Sequence, residues 1–195
     1  MSGGPPRRGA IGVAASPAPG SRSRLLVVRT LSHLAAAGYE TGLLDLTDLP
    51  ADALLGRRRD AAVEAAVARV VAAPAVVLGT PVYRASYTGQ LKAFLDLFPP
   101  DALRGRAVGL IATGASPAHA LAVDHGLRPL VASLGGLTAA VALYVVDGAF
   151  PDKTRLPEPI DRQTAALAAE LAALAAALAP APGGPTGGGG AARVP

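Results

Sequence analysis

Three short segments carry the residue types best suited to chemistry. Ser16-Pro17-Ala18-Pro19-Gly20-Ser21-Arg22-Ser23 sets hydroxyls beside a guanidinium. At a helix start, where first-turn N–H groups are unpaired and the helix dipole is positive, such a set can hold a phosphate. Read alone, it suits equally well a plain N-cap at Ser21 with a solvated Arg22. Thr80-Pro81-Val82-Tyr83-Arg84-Ala85-Ser86-Tyr87-Thr88-Gly89 places a rigid proline beside two of the four tyrosines, which suits a flat aromatic ligand. Thr113-Gly114-Ala115-Ser116-Pro117 offers small residues and backbone donors to the edge of a planar heterocycle. Each segment taken singly is ordinary turn chemistry.

Other chemistry is excluded. With no cysteine there is no disulfide, thiolate zinc site or thiol nucleophile, and the histidines at 33, 119 and 125 share no metal-ligand spacing. Neither G-x-x-x-x-G-K-[ST] nor a G-x-G-x-x-G after a strand occurs, which disfavours ATP and tightly held NAD. No convincing Ser-His-Asp or paired-carboxylate arrangement is present.

The elements that must position these segments alternate along the chain. Apolar strands are expected at Ala10–Ala15, Thr41–Leu46, Ala75–Leu78, Ala107–Ala112 and Thr138–Val146. Helices are expected at Arg22–Ala37, Asp60–Ala72, Thr88–Leu97, Pro117–Leu134 and Asp161–Ala179, the second stopped by Pro74. The last carries Leu167, Leu171, Leu174 and Leu178 as a core-facing stripe. Near-continuous apolar strands joined by helices specify a parallel sheet covered on both faces, a doubly wound three-layer α/β domain. In such sheets ligands collect at the carboxyl ends of strands where strand order reverses. The three segments follow the first, third and fourth strands. Together they suggest one phosphorylated planar ligand, which flavin mononucleotide fits better than a nucleoside triphosphate.

The 195 residues are 51% apolar, but 44 are alanine, so the core must come from the Leu, Val and Ile clusters. One domain over residues 10–179 is expected. The Gly/Pro/Arg-rich residues 1–9 and the Ala/Pro/Gly tail 180–195 cannot bury enough apolar surface to order themselves. Sixteen arginines against two lysines lift the pI to about 10. With 4% aromatics and the single basic run Arg57-Arg58-Arg59, read as a solvated loop ahead of a helix, a nucleic-acid partner is excluded. The best membrane candidate, Ala165–Ala179, falls short of the roughly 18 to 20 apolar residues needed and is broken by Glu170. Arg7-Arg8 and the short run after them lack the length of an export signal. A soluble, cytoplasmic protein is the expectation.

Thr80-Pro81-Val82-Tyr83, Gly89-Gln90-Leu91-Lys92 with Asp96, Ala112-Thr113-Gly114, Ala118-His119 and Leu121-Ala122-Val123-Asp124 resemble the NAD(P)H-dependent FMN reductases of sulfonate-utilisation systems. The resemblance runs from about Ala10 to Val146. It implies a flavodoxin-like fold with strand order 2-1-3-4-5, reduction of FMN by NADPH or NADH, and delivery of reduced flavin to a separate flavin-dependent monooxygenase. Carried over by position, Ser16, Ser21, Arg22 and Ser23 would hold the phosphate, and Pro81, Val82, Tyr83 and Arg84 would line the isoalloxazine. Thr113, Gly114 and Ala115 would edge its pyrimidine end, Ala115 standing where many relatives have a second glycine. Lys92 and Asp96 are read as a structural pair and His33 as a surface residue. The relatives' helix after the fourth strand carries one extra residue that makes a π-bulge at a subunit interface. Here Asp124-His125-Gly126 occupies that place, and a homo-oligomer, dimer or tetramer, is implied.

Because the cofactors carry hydride chemistry themselves, no catalytic side chain is required. The rivals are an FMN-retaining quinone or azo-dye reductase, a non-enzymatic flavodoxin-type electron carrier, which the net charge of +4 argues against, and a phosphate-binding regulatory module.

Overall fold

The computed structural model describes residues 8–152 and 154–179. The expectation for residues 1–9 lies outside these residues except at Arg8 and Gly9, where Gly9 is ordered in the first strand, and that for 180–195 lies wholly outside them. Strands β1 (Gly9–Ala14), β2 (Glu40–Asp45), β3 (Ala75–Pro81) and β4 (Ala107–Gly114), with a short β5 (Leu137–Thr138), form a parallel sheet in the order β2-β1-β3-β4-β5. The expected order is therefore correct. β1 begins one residue earlier than expected, and the Arg8 carbonyl before it accepts from Glu40 N–H at 2.8 Å.

The expected single strand Thr138–Val146 is split in two. β5 and β6 (Leu143–Val146) both run parallel to β4, and the chain between them leaves the ladder. Side chains take its backbone groups instead. The Glu170 carboxylate accepts from Ala140 N–H and Val141 N–H at 2.6 and 2.8 Å, and Arg128 donates to the carbonyls of Ala139 and Ala140 at 2.7 and 2.8 Å.

Helices cover both faces. α1 (Arg22–Ala36) and α6 (Glu158–Leu178) pack Leu26, Leu34, Leu167 and Leu171 against Val77 and Ile111. On the other face α2 (Ala51–Leu54), α3 (Ala61–Ala72), α4 (Gly89–Leu95) and α5 (Arg128–Ser133) bury Val63, Val70, Leu91, Phe94 and Val131 against Val76, Leu78 and Leu110. Two glycines let α1 lie close to the sheet. A Cβ at Gly12 would fall 2.4 Å from Val27 Cγ1, and one at Gly79 would fall 2.2 Å from Val27 Cγ2. That approach sets the N-terminus of α1 beside the ends of β1 and β3.

The single helix expected over 117–134 is also corrected. A 3-10 turn at Pro117–His119 replaces its first turn; α5 begins only after a π-helical turn at Val123–Leu127, which is the π-bulge the resemblance implied at Asp124-His125-Gly126. Pro129 has no N–H to give the His125 carbonyl four residues back, and its ring would clash there, so an α-helical register is disfavoured at this point. The widened turn avoids the clash. α6 starts one turn before its expected beginning.

His33, read as a surface residue, is half-buried on α1. Its Nε2 lies 2.9 Å from Asp161 Oδ1, which also accepts from Arg29, so α1 and α6 are joined by a three-residue polar cluster. Lys92 and Asp96 form the expected structural pair, Nζ donating to both carboxylate oxygens at 2.6 and 2.8 Å. Arg58 and Arg59 pair with Asp52, Asp60 and Glu64 ahead of α3. No described helix is long and apolar enough to cross a membrane.

Candidate functional site

The ends of β1, β3 and β4 meet through hydrogen bonds that join their three loops. Ala15 N–H donates to the Gly79 carbonyl at 2.8 Å, and Val82 N–H donates to the Thr113 carbonyl at 2.6 Å. Thr88, at the N-cap of α4, donates its hydroxyl to the Ala15 carbonyl at 2.8 Å and its N–H to Thr80 Oγ1 at 3.1 Å. Thr80, Thr88 and Thr113 are buried, so these bonds are shielded from water and fix the loops relative to one another.

The first loop turns sharply after β1. Ser16 is buried and its Oγ accepts from Ala18 N–H at 3.2 Å, while Gly20 takes the left-handed φ of 64° that closes the turn. Ser21 stands at the N-cap of α1, but its hydroxyl lies 2.8 Å from that of buried Ser23 instead of capping the helix. The helix therefore offers first-turn N–H groups to a ligand, with no acidic residue in that turn. A pocket of about 210 Å³ opens here, walled by Ala14, residues 16–21, Arg24, Asp45 and Thr47.

Arg22 does not wall this pocket. Its guanidinium lies over the Phe150 ring, 5.7 Å from the centroid, with Nη1 at 3.5 Å from Asp147 Oδ1. Its Nε is buried without a hydrogen-bond partner, a donor left for a ligand to satisfy. Arg24 is the arginine on the pocket wall, with Nε donating to Asp45 Oδ2 at 3.0 Å. Side chains two residues apart on a helix point to opposite flanks, which separates the two arginines. The alternation Ser21-Arg22-Ser23-Arg24 was the available signal for Arg24; nothing local pointed to Asp45 or Asp147.

The second loop presents Tyr83, 48% exposed, on a tight turn. Tyr83 N–H and Ser86 N–H exchange bonds with each other's carbonyls at 2.9 and 3.2 Å, and Arg84 and Ala85 between them have φ of 53° and 62°. Two non-glycine residues in the left-handed region store strain of the kind found at ligand sites. Pro81 and Val82 are buried beneath the turn. In the third loop Ala115 is exposed, and Gly114 is held tightly: a Cβ there would meet Tyr144 Oη at 2.4 Å. Tyr144, which sequence reasoning missed, donates its hydroxyl to the Ser116 carbonyl at 2.6 Å. Burial, and then the nearby Asp147 carboxylate, push its phenol above the ordinary tyrosine value.

On the far side of the Tyr83 turn, Ala85 and Ser86 share a pocket of about 290 Å³ with His119, Leu121, His125 and Gly126. Asp124 and His125 are exposed on the π-helical turn, and Asp124 accepts from Arg128 Nε at 2.6 Å. Gly126 leaves room for Tyr87, whose Cδ1 would be 3.3 Å from an added Cβ. A larger cavity of about 660 Å³ lies along α3 beside Leu97 and Pro99, away from the strand ends. Among the described residues no group of three or more His, Asp or Glu could hold a metal.

A three-layer α/β domain of this strand order, with a pocket at the N-terminus of its first helix and an aromatic turn on the neighbouring strand end, has the architecture of the flavodoxin-like proteins. A profile of the NADPH-dependent FMN reductases matches residues 10–150. The FMN reductase (NADPH) of Pseudomonas putida is 37% identical over 147 residues, 75% of this chain and 72% of the relative. The NADH-dependent FMN reductase SfnF of Pseudomonas fluorescens is 36% identical over 157 residues, 78% of this chain and 83% of the relative. Among solved structures, an NADH:FMN oxidoreductase, EmoB, in its apo form superposes with a TM-score of 0.76 at 31% identity, covering 90% of this chain and 92% of that one. The chain belongs to the NADPH-dependent FMN reductase family and is a flavin-dependent oxidoreductase that uses FMN and a nicotinamide nucleotide.

Proposed function

We propose that the chain binds FMN reversibly, reduces it with NADPH or NADH, and yields reduced flavin to a separate monooxygenase of a sulfonate-utilising system. The observation that carries this reading is the hydrogen-bonded union of the three loops: a phosphate pocket, an aromatic turn and a glycine edge at adjacent strand ends. The residues fit the flavin. Buried Arg22 Nε lacks a partner, and the uncapped start of α1 offers N–H donors to a phosphate. FMN, when bound, supplies the ring that accepts hydride from the nicotinamide.

The chain's own part is binding, orientation and exclusion of water. Ser16, Ser21, Arg22 and Ser23 would hold the phosphate, joined by Arg24 from the opposite flank of the helix. Pro81, Val82, Tyr83 and Arg84 would support the ring, with Tyr83 exposed enough to contact it. Thr113, Gly114 and Ala115 would meet its edge, in a position set by Tyr144. The relatives named as NADPH- and NADH-dependent FMN reductases support either nicotinamide nucleotide as the hydride donor. The exposed Leu121 beside the π-helical turn supports a subunit contact there in a dimer or tetramer.

The test is to follow NADPH and NADH absorbance with the purified chain while free FMN is titrated. Turnover that rises with added FMN, with reduced flavin then consumed by an added flavin-dependent oxygenase, supports the reading. Turnover that ignores free FMN and demands a quinone or azo dye replaces it with an FMN-retaining reductase.

A further inference from the structure

We infer that Asp45 and Asp147 restrain the two arginines at the flavin-phosphate site and so limit its affinity for FMN, keeping the flavin exchangeable. The inference rests on the FMN reading above and deepens it.

Both arginines of Ser21–Arg24 are already engaged by carboxylates that arrive from different strand ends. Asp45, the last residue of β2, accepts from Arg24 Nε at 3.0 Å and forms part of the pocket wall itself. Its other oxygen is fixed by Thr47, which donates its N–H at 3.1 Å and its hydroxyl at 2.7 Å. The carboxylate is thus held in place, and its charge faces the space a phosphate would fill. On the opposite flank Asp147, one residue past β6, lies 3.5 Å from Arg22 Nη1. Phe150 beneath the guanidinium favours the same orientation, turned away from the pocket, while Nε remains unpaired.

A site built only for tight phosphate binding has no use for fixed anions on both of its arginines. An arriving phosphate must either draw each guanidinium from its carboxylate or share it with a like charge a few ångströms away, and both lower the net gain on binding. A riboflavin ring lacking the phosphate meets neither cost. Asp45 and Asp147 would therefore act on phosphate affinity alone.

The experiment measures flavin dissociation constants by fluorescence quenching for the full-length wild type, Asp45→Asn and Asp147→Asn, each with FMN and with riboflavin. Asparagine keeps the shape and the acceptor oxygen that Thr47 needs. The expected result is FMN affinity about three- to tenfold tighter in the variants, the scale of one partly exposed ion pair, with riboflavin unchanged. A gain for FMN alone in either variant supports the role of that carboxylate. No gain in either, a loss, or an equal gain for riboflavin overturns the inference. The Asp147 side chain caps no turn, so Asp147→Asn carries the test even if Asp45→Asn fails to fold. If the wild type itself shows no preference for FMN over riboflavin, the phosphate assignment of the parent reading fails instead.

Discussion

The hydroxyl of Thr88 donates to the carbonyl of Ala15 at 2.8 Å, joining positions 73 residues apart. The same oxygen accepts from Leu91 N–H and so caps α4. One buried side chain therefore starts the fourth helix and holds the loop after β1 against the loop after β3. Replacing Thr88 with Val keeps the shape but leaves a buried carbonyl and N–H unpaired. The expected loss is about 1 to 3 kcal/mol in urea unfolding, together with weaker FMN binding. Thr88→Ser should restore most of both; full stability in the Val variant would remove Thr88 from this role.

Gly114 and Tyr144 should behave as a coupled pair. A methyl group at Gly114 would press on the phenol oxygen at 2.4 Å, and the ring can move only by giving up its bond to Ser116. Gly114→Ala is expected to weaken FMN binding severalfold. Tyr144→Phe removes the clashing oxygen and should recover part of that loss, which a double-mutant cycle reads as a non-additive term. Strict additivity would show that the two residues act separately.

Arg22→Ala should weaken FMN binding by about 1.5 to 3 kcal/mol, the scale of a charge-assisted hydrogen bond, while riboflavin binding stays as it was. Titration of both flavins decides the matter: an unchanged FMN dissociation constant assigns the phosphate to Arg24 and the helix N-terminus alone.

The cluster between α1 and α6 predicts a specific acid response. Hydrogen bonds from Arg29, and then from His33, hold the Asp161 carboxyl well below the usual carboxylate range. A carboxyl depressed in the folded state adds stability above its unfolded value of about 4, and that contribution fades as the pH falls through the folded value. Arg29 is 45% exposed, so solvent limits the contribution to about 1 kcal/mol. Wild type should exceed Asp161→Asn by roughly this amount at neutral pH, with the gap closing in strong acid. Chemical denaturation across pH measures it, and a constant gap would assign the effect to packing.

Deleting His125 takes the extra residue out of the π-helical turn at Val123–Leu127 and should rearrange it, while Pro129 still disfavours a regular α-helical register there. Light scattering is expected to show a smaller assembly, and stopped-flow mixing a changed rate of FMN exchange. If mass, flavin content and rate match the wild type, the turn is a local accommodation of Pro129 and has no part in assembly.

The sequence by itself determined the layers, the order of elements and the three loops that gather at the strand ends. Those features rest on local signals: apolar runs such as Ala75–Leu78, the stop at Pro74, and hydroxyls and glycines placed just after strands. The strain-bearing turn at Arg84 and Ala85, the split of the last strand and the partners of both arginines were decided only by tertiary structure. Glu170 lies 30 residues from the Ala140 N–H it takes from the ladder, and Asp147 lies more than a hundred residues from Arg22. Periodicity records which face of an element is buried. It carries no record of which distant side chain will offer a better hydrogen bond than the neighbouring strand, and such competitions are settled only when the elements meet.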